Sequence, residues 1–287
     1  MDPGGNRALT AAIAVVFATL PVVTAARAGA ACAPDPTPGD DEIVCSDAAD
    51  SLSSLAGDDV VFGGSGTDLL SGEAGNDQLY GEGGDDTLSG EPGSDYLEGE
   101  TGDDTIDGGE GSDDLRGGTG IDTIFGGPGN DAIDGGAHPD DVHGHAGSDL
   151  VFGWHGDDSL SGGPGNDDMS GFVGNDSLRG GGGLDILYGG DGADAIAGGG
   201  AGDFIQGSGG EDALDGERGR DFLVGGKSRD LLTALSGKDR VKGGAGDDEV
   251  FAADGVTDKI SCGPGTDTVH ADRIDVLVDC EDVDLVP

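Results

Sequence analysis

The sequence is poor in aromatic residues and in basic residues. Aromatic residues make up 4% of the 287-residue chain, and 13 lysine and arginine residues stand against 59 aspartate and glutamate residues. The formal net charge of -46 argues against nucleic acid and anionic membrane surfaces as partners, because both carry charge of the same sign. Hydrophobic residues account for 34% and glycine for 62 residues, a composition that favours disorder unless some other feature orders the chain.

The sequence also lacks the short motifs of the common hydrolases. It contains neither an HExxH zinc motif nor a GxSxG nucleophile elbow. The segment 222–228, FLVGGKS, is similar to a phosphate-binding loop, but Asp221 stands where that loop requires its first glycine. Residues 31–44 before the repeats described below and residues 271–287 after them are too few to form a catalytic domain. We therefore predict that the chain is not an enzyme.

A short apolar run lies near the N-terminus. Residues 8–23 are apolar, follow Arg7 and are followed by small residues up to Ala30. This order predicts a secretory signal peptide over residues 1–30, and hence a secreted protein without a membrane span. The alternatives are a retained anchor and a lipoprotein acylated at Cys32. About 16 apolar residues interrupted by a proline span a bilayer poorly, and the leucine usual before a lipoprotein cysteine is missing.

Four cysteines flank the central part of the chain. Cys32 and Cys45 lie on its N-terminal side, and Cys262 and Cys280 lie on its C-terminal side. Four cysteines allow three pairings, and the sequence does not select one. In an exported protein the two local pairs are favoured, each stabilising the fold by roughly 3 kcal/mol, and free thiols are the alternative.

The dominant feature is a nine-residue repeat. From Cys45 its register runs without insertion to Phe251, which makes 23 units. Every unit has aspartate at the sixth position and an aliphatic residue or methionine at the eighth, and most have glycine at the first and fourth. After Ala252 the frame slips by one residue, and two further units place Asp258 and Asp267 at the sixth position.

This repeat predicts an all-β fold. Glycine at two fixed points indicates a tight turn with positive φ, and the last three residues of each unit suit a short strand whose middle side chain faces inward. Two units then make one 18-residue coil, and the coils stack into a parallel β-roll, or β-solenoid. The predicted organisation is a signal peptide at 1–30, an N-terminal cap segment at 31–44, the β-roll at 45–270 and a C-terminal cap at 271–287.

The units, for example GGEGSDDLR at 108–116 and GGTGIDTIF at 117–125, resemble the hemolysin-type, or RTX, calcium-binding repeat GGxGxDxUx. The resemblance covers residues 45–270. The ending DKISCGPGTDTVHADRIDVLVDCEDV, residues 258–283, also resembles the closing segment of secreted actinobacterial members. The resemblance implies a parallel β-roll that binds several Ca²⁺ ions, with carbonyl groups of the turns completing each coordination shell.

The sixth-position aspartates are the candidate metal ligands. Parallel strands lie about 4.8 Å apart, so the aspartates of alternate units stack in a column in which their carboxylates repel. Calcium, with six to eight oxygen ligands at about 2.3 to 2.6 Å, fits between two such loops better than magnesium does. The predicted ligands are Asp59, Asp68, Asp77, Asp86, Asp95, Asp104, Asp113, Asp122, Asp131, Asp149, Asp158, Asp167, Asp176, Asp185, Asp194, Asp203, Asp212, Asp221 and Asp248.

Some units depart from the pattern. Unit 135–143 has His138 and Pro139 in its turn and is expected to bind calcium poorly. The histidines near it are interpreted as surface residues, with a transition-metal site as the alternative. The basic residues within 216–242 are interpreted as cations that replace calcium locally, with a docking patch for an acidic partner as the alternative. Four second-position glutamates are expected to form one solvated acidic stripe: Glu73, Glu82, Glu91 and Glu100.

These observations predict a secreted, non-enzymatic calcium-binding protein that folds when calcium binds. The thin core supports coupling between calcium binding and folding. The entropic cost of ordering this many residues exceeds the free energy gained by burying one aliphatic side chain in each unit. The alternative is an adhesion or recognition solenoid that binds a glycan, cell-wall or protein partner on one face. A cell-surface or matrix partner is compatible with both.

Overall fold

The computed structural model describes residues 32–286, and the regular elements within that range are all β-strands. The predicted signal peptide, residues 1–30, lies outside the described residues. The strands are β1 (Glu42–Val44), β2 (Ser51–Ser53), β3 (Val60–Ser65), β4 (Leu69–Ser71), β5 (Gln78–Gly83), β6 (Thr87–Pro92), β7 (Tyr96–Thr101), β8 (Thr105–Glu110), β9 (Asp114–Thr119), β10 (Thr123–Pro128), β11 (Ala132–Ala137), β12 (Asp141–Ala146), β13 (Leu150–His155), β14 (Ser159–Pro164), β15 (Asp168–Val173), β16 (Ser177–Gly182), β17 (Ile186–Asp191), β18 (Ala195–Ala201), β19 (Phe204–Gly209), β20 (Ala213–Gly219), β21 (Phe222–Lys227), β22 (Leu231–Thr233), β23 (Arg240–Ala245), β24 (Glu249–Phe251), β25 (Lys259–Ser261), β26 (Thr268–Asp272), β27 (Val276–Val278) and β28 (Asp282–Val286).

The strands form two parallel sheets. The odd-numbered strands make one 14-stranded sheet in chain order, and the even-numbered strands make the other. Each strand pairs with the next strand but one along the chain, as Val61 does with Leu79 and Leu88 with Ile106. Each coil therefore contains two nine-residue units, one in each sheet. The predicted parallel β-solenoid is confirmed.

Most strands are longer than the repeat predicts. The pattern assigned only the last three residues of a unit to a strand, but most strands continue through the first three residues of the next unit. Gly64 pairs with Glu82 and Ser65 with Gly83, in the same register as the apolar positions. The cause is that successive coils superimpose over the start of the turn as well, so its backbone groups also find partners in the next coil.

The core is one column of side chains for each sheet. Eighth-position residues such as Leu79, Leu97, Leu88 and Ile106 are fully buried between the two sheets. The seventh and ninth residues flank them and point outward, which gives the strands their alternation of buried and exposed side chains. This narrow core holds the two sheets together and aligns the turns of successive coils.

The frame slip changes the register of one coil. Val241 pairs with Ile260 and Val250 with Val269, so each partner is displaced by one position relative to the regular coils. The extra residue lies outside the ladders. Strand β1 adds to the odd sheet before residue 45, and β27 and β28 add to the two sheets after residue 270. The division into caps and roll stays a prediction.

The cysteines form the two favoured local pairs. Cys32 is bonded to Cys45, and Cys262 is bonded to Cys280, so the expectation of two local disulfides is confirmed. Each disulfide fastens one end of the described chain to the adjoining coil. In residues 32–286 there is no helix long and apolar enough to cross a membrane.

Candidate calcium sites

The sixth-position aspartates form two columns, one beside each sheet. Each aspartate immediately precedes its strand, and from Asp59 onward the columns are at most 3% exposed. Within a column the backbone N–H of one aspartate donates to Oδ1 of the aspartate in the next coil. Asp77 donates to Asp95 at 2.7 Å, and Asp95 donates to Asp113 at 2.8 Å. The carboxylates are thereby held in one orientation along the whole roll.

The second carboxylate oxygen, Oδ2, is buried in each of these aspartates and has no hydrogen-bond donor. This holds for all 19 predicted ligands and for five further aspartates. The five are Asp140, Asp230, Asp239, Asp258 and Asp267. Buried polar atoms in native proteins almost always have a partner, and a buried anionic oxygen without one is costly. Because the donor is missing at every one of these Oδ2 atoms, we infer that they bind a molecule or ion other than the protein itself.

The pKa values of the column carboxyl groups from Asp68 onward are raised. Burial raises the pKa of Asp77 to about 6, and of Asp95 and Asp131 to about 7, from a usual value of 3.8. The N–H bond to Oδ1 acts in the opposite direction, and repulsion between neighbouring carboxylates adds to the rise. Without a cation, the folded roll therefore binds protons at a higher pH than free aspartate does.

A small space opens beside the first glycine of each unit. A Cβ atom on Gly180 would lie 2.5 Å from Asp185 Oδ2 and 2.6 Å from the carbonyl oxygen of Gly198 in the next coil. The expectation of positive φ at this position is wrong, because positive φ occurs at the second and fourth positions, as at Gly64 (101°) and Gly66 (155°). Glycine is favoured at the first position because a side chain would press against the carboxylate oxygen; Ser54 and Ala234 are exceptions near the ends of the regular repeat.

The donor set beside this glycine consists of oxygen atoms alone. Calcium is held in proteins by carboxylate and carbonyl oxygens, so the residues fit that ion. The sixth-position Oδ2 atoms and the first-position carbonyls of the neighbouring coil would hold it. The bound ion would supply the positive charge that the buried carboxylates lack.

Comparison with protein families gives the same answer as this geometry. The model of the RTX calcium-binding nonapeptide repeat (4 copies) matches ten overlapping or adjoining segments, which together cover residues 37–256 without a gap. The chain belongs to this RTX repeat family. Residues outside the match are the N-terminal segment and the last coils after the frame slip.

Other comparisons add little to the family assignment. A search of curated proteins gave no significant match. Among solved structures, the RTX chain is similar to a hyperactive, Ca²⁺-dependent, β-helical antifreeze protein from an Antarctic bacterium, known from an X-ray crystal structure. The two are 21% identical, the likeness covers 88% of this chain and 81% of that one, and the TM-score is 0.41.

The units that depart from the RTX pattern keep the same geometry. Asp140, in the turn that contains Pro139, is 3% exposed and has an unpaired Oδ2 like the others. Among the described residues no lysine or arginine nitrogen forms an ion pair with a column aspartate. Arg229 instead pairs with Glu249 at 3.8 Å. The cations of the basic stretch therefore do not replace calcium by direct contact with the columns.

Two acidic residues at the C-terminal end escaped the sequence analysis. Asp275 Oδ1 accepts the N–H of Asp258 at 2.9 Å, and Glu281 Oε2 accepts the N–H of Asp267 at 3.3 Å. They therefore terminate the two columns. They lie 17 and 14 residues after their donors, so the nine-residue frame does not reach them. The sequence feature that could have revealed these two residues is that each is an acidic residue that precedes one of the last two apolar segments.

A ladder of fifth-position side chains was also missed. Asn76 Oδ1 accepts the N–H of Ser94 at 2.9 Å, and Asn130 Oδ1 accepts the N–H of Ser148 at 2.7 Å. Asparagine, serine and aspartate recur at this position, which was the available signal. The ladder ties neighbouring turns together beside the buried columns.

The second-position glutamates do not form one stripe. Successive units alternate between the sheets, so Glu82 and Glu100 lie in odd strands, whereas Glu91 lies in β6 and Glu73 follows β4. The predicted single stripe is wrong, because a column on one sheet contains only every second unit. The four glutamates therefore form two pairs, one on each sheet.

The histidines do not gather into a metal site. His143 stacks on Phe125 with ring centroids 5.3 Å apart, and the rings of His143 and His145 lie 6.0 Å apart. Within residues 32–286, only Cys32, Cys45 and Asp50 bring three ligand atoms within 4.8 Å of one another, and those cysteines are disulfide-bonded. The transition-metal alternative therefore finds no support in the described part of the chain.

The space beside the first glycine gives a test with a matched control. Gly180→Ala should weaken calcium binding locally and destabilise the roll by about 1 to 3 kcal/mol, because its Cβ would push against Asp185 Oδ2. Gly182→Ala, in the same strand, places its Cβ where no atom lies within 4 Å and should change little. Urea unfolding in millimolar calcium compares them. Equal stability of the two variants would contradict the role given to this space.

Proposed function

We propose that the chain is a secreted, non-enzymatic calcium-binding protein whose roll folds when calcium binds. The proposed ligands are the 19 aspartates predicted from the repeat and the five further column members, including Asp140 and Asp258. The observation that carries the proposal is the unpaired, buried Oδ2 atom repeated along both columns. Membership of the RTX family supports calcium as the ion.

Coupling to folding follows from the position of these oxygens. In the unfolded chain the carboxylates are hydrated, whereas in the roll they are buried beside one another. An ion that binds only the folded roll stabilises it by RT ln(1 + [Ca²⁺]/Kd) for each site. The many weak contributions add along the roll, because each coil contacts mainly its neighbours.

Secretion and the absence of catalysis have separate supports. The signal-like N-terminal segment, the closing segment similar to secreted members, and the two disulfides support secretion. Millimolar extracellular calcium would then serve as the folding trigger. The described chain is occupied by repeating coils, and their buried carboxylates have a binding role, which supports a non-enzymatic function.

Calorimetric titration of the mature chain with calcium tests the proposal. We expect on the order of 20 ions per chain, about one for each neighbouring pair of column carboxylates, and much weaker binding of magnesium. Binding should be accompanied by the appearance of a β-sheet circular dichroism spectrum. A stoichiometry of a few ions per chain, or equal affinity for magnesium, would refute the assignment of the columns.

A further inference from the structure

Aromatic side chains concentrate on one stretch of the odd-numbered sheet. Strands β13, β15, β17, β19 and β21 are neighbours in that sheet, and we call the outward side of these five strands the aromatic face. Its rings belong to Phe152, Trp154, Phe172, Tyr188, Phe204 and Phe222, each within 6.3 Å of another ring of the group. The matching stretch of the even sheet carries mainly serine and alanine at its outward positions.

The seventh and ninth positions of the aromatic face are almost free of charge, whereas exposed Asp191 and Lys227 lie at the ends of β17 and β21 and Arg240 of β23 lies 5.0 Å from the centroid of the Phe222 ring. Of the seventh- and ninth-position residues in its five strands, only Asp168 is charged, in a chain with a net charge of -46. Ile186 and Trp154 are each 40% exposed. A contiguous apolar surface on an otherwise acidic molecule is typical of a contact site.

Two of its aromatic residues adopt a backbone conformation that side chains disfavour. Trp154 and Phe172 occupy the second position of their units with φ of 72° and 71°, where Gly136 and Gly190 stand in the adjoining coils of the same sheet. The same conformation occurs at the second position of other units, as at Glu82 (69°) and His145 (72°), so it belongs to the repeat. At this position the aromatic face carries two large rings.

The orientation of the rings narrows the kind of partner. The rings of Trp154 and Phe172 are 4.5 Å apart and within 4° of parallel. Because this separation matches the strand spacing, the rings stack along the roll axis and cover each other's faces. In this pair the ring edges therefore point outward, whereas the other four ring pairs of the face are tilted or edge-to-face, at 55° to 81°. Outward edges pack against aliphatic groups or the faces of other aromatic rings.

We propose that the aromatic face is the interface of a homodimer formed by the calcium-loaded roll. The face carries a single charged residue at its seventh and ninth positions, so two calcium-loaded copies can meet there with little electrostatic repulsion. The partner's face also has the same strand spacing, so rows of side chains from two copies interdigitate. Association through one patch related by twofold symmetry is the commonest mode of homodimer formation.

The size of the face sets the expected strength. Five strands at about 4.8 Å and six residues at about 3.3 Å give roughly 480 Å² on each copy. Two such faces bury on the order of 1,000 Å², the lower end for specific interfaces, so the dimer should be weak and concentration-dependent. This inference goes beyond calcium binding and concerns the loaded, folded chain.

Sedimentation velocity of the mature chain in millimolar calcium tests the proposal. We expect the mean mass to move from monomer towards dimer as the concentration rises from micromolar to submillimolar. Ile186→Asp should raise the dimer Kd at least about tenfold, because the interface would bury an additional unpaired carboxylate. Ser177→Asp is the matched control. It adds the same charge at the seventh position of β16, on the other sheet, and should leave the Kd nearly unchanged.

A second readout needs no variant. Trp154 is the single tryptophan of the chain, so intrinsic emission reports directly on the aromatic face. On dilution its emission should shift to the red and its quenching by acrylamide should increase. A chain that stays monomeric at submillimolar concentration, or a dimer that Ile186→Asp and Ser177→Asp affect equally, would overturn the proposal. Circular dichroism in calcium confirms that each variant is folded, which separates this outcome from a failure of calcium-driven folding.

Discussion

Replacing Asp95, Asp113 and Asp131 together by asparagine should change the stability of the roll in opposite directions with and without calcium. These three residues follow one another in the odd column, and each has a buried, unpaired Oδ2. The three residues belong to four neighbouring pairs of the column. A site occupied at 100 times its Kd contributes about 2.7 kcal/mol, so the loss of four sites costs about 11 kcal/mol in calcium. That is comparable with the whole stability of an ordinary domain.

In a chelator the same variant should be at least as ordered as the wild type. Asparagine keeps an oxygen that accepts the N–H of the preceding coil but removes the buried negative charge. Thermal unfolding, followed by circular dichroism in calcium and in EDTA, measures the change in stability under each condition. A control variant that neutralises the exposed Asp107, Glu110 and Asp141 removes three charges from the same region without touching the columns. If both variants respond alike, net charge rather than ligand loss governs folding.

Mild acid should order the metal-free chain. Burial raises the pKa of Asp77 and Asp86 to about 6 and of Asp95 and Asp176 to about 7, against a usual 3.8. The folded state therefore binds protons more tightly than the unfolded chain. The free energy of unfolding of the metal-free protein rises as the pH falls from about 7 towards 3.8, and this stabilisation is lost as the pH rises through 6 to 7.

Calcium binding should show the opposite dependence on pH. Protons and calcium compete for the same carboxylates, so the calcium affinity should fall between pH 7 and pH 5. Circular dichroism of the chelated chain at dilute concentration, from pH 7.5 to pH 5, measures the first effect, and calcium titrations at the same pH values measure the second. A chelated chain that gains no β-structure between pH 7.5 and pH 5 would contradict the raised pKa values.

The sequence predicts the coil and its ligand columns because both depend on local spacing. A period of nine places Asp77 and Asp95 one coil apart, and the inward residue two positions after each aspartate fixes which side is buried. The fifth-position ladder and the two-sheet placement of Glu73 and Glu82 depend on how coils superimpose. To predict these two features, residues must be compared across a whole 18-residue coil rather than across one nine-residue unit.

Other features lie beyond a periodic pattern. Asp275 and Glu281 complete the columns at irregular spacing, because the chain end is set by three-dimensional stacking. The preference for glycine at the first position was attributed to φ, whereas the cause is the approach of Oδ2 across the turn. The aromatic face escaped notice because a unit of the other sheet separates its strands along the chain. Only the assembled sheet brings Trp154 and Phe172 together.

Small-angle X-ray scattering of the mature chain tests the central claim most directly. The claim is that calcium held by the columns is what makes the chain compact. In millimolar calcium, 14 strands per sheet at about 4.8 Å predict a rod about 65 Å long with a radius of gyration of roughly 20 Å. After chelation at pH 7.5 the radius should rise towards that of an unfolded chain, about 55 Å. A radius that keeps its calcium-loaded value in excess EDTA would contradict the account.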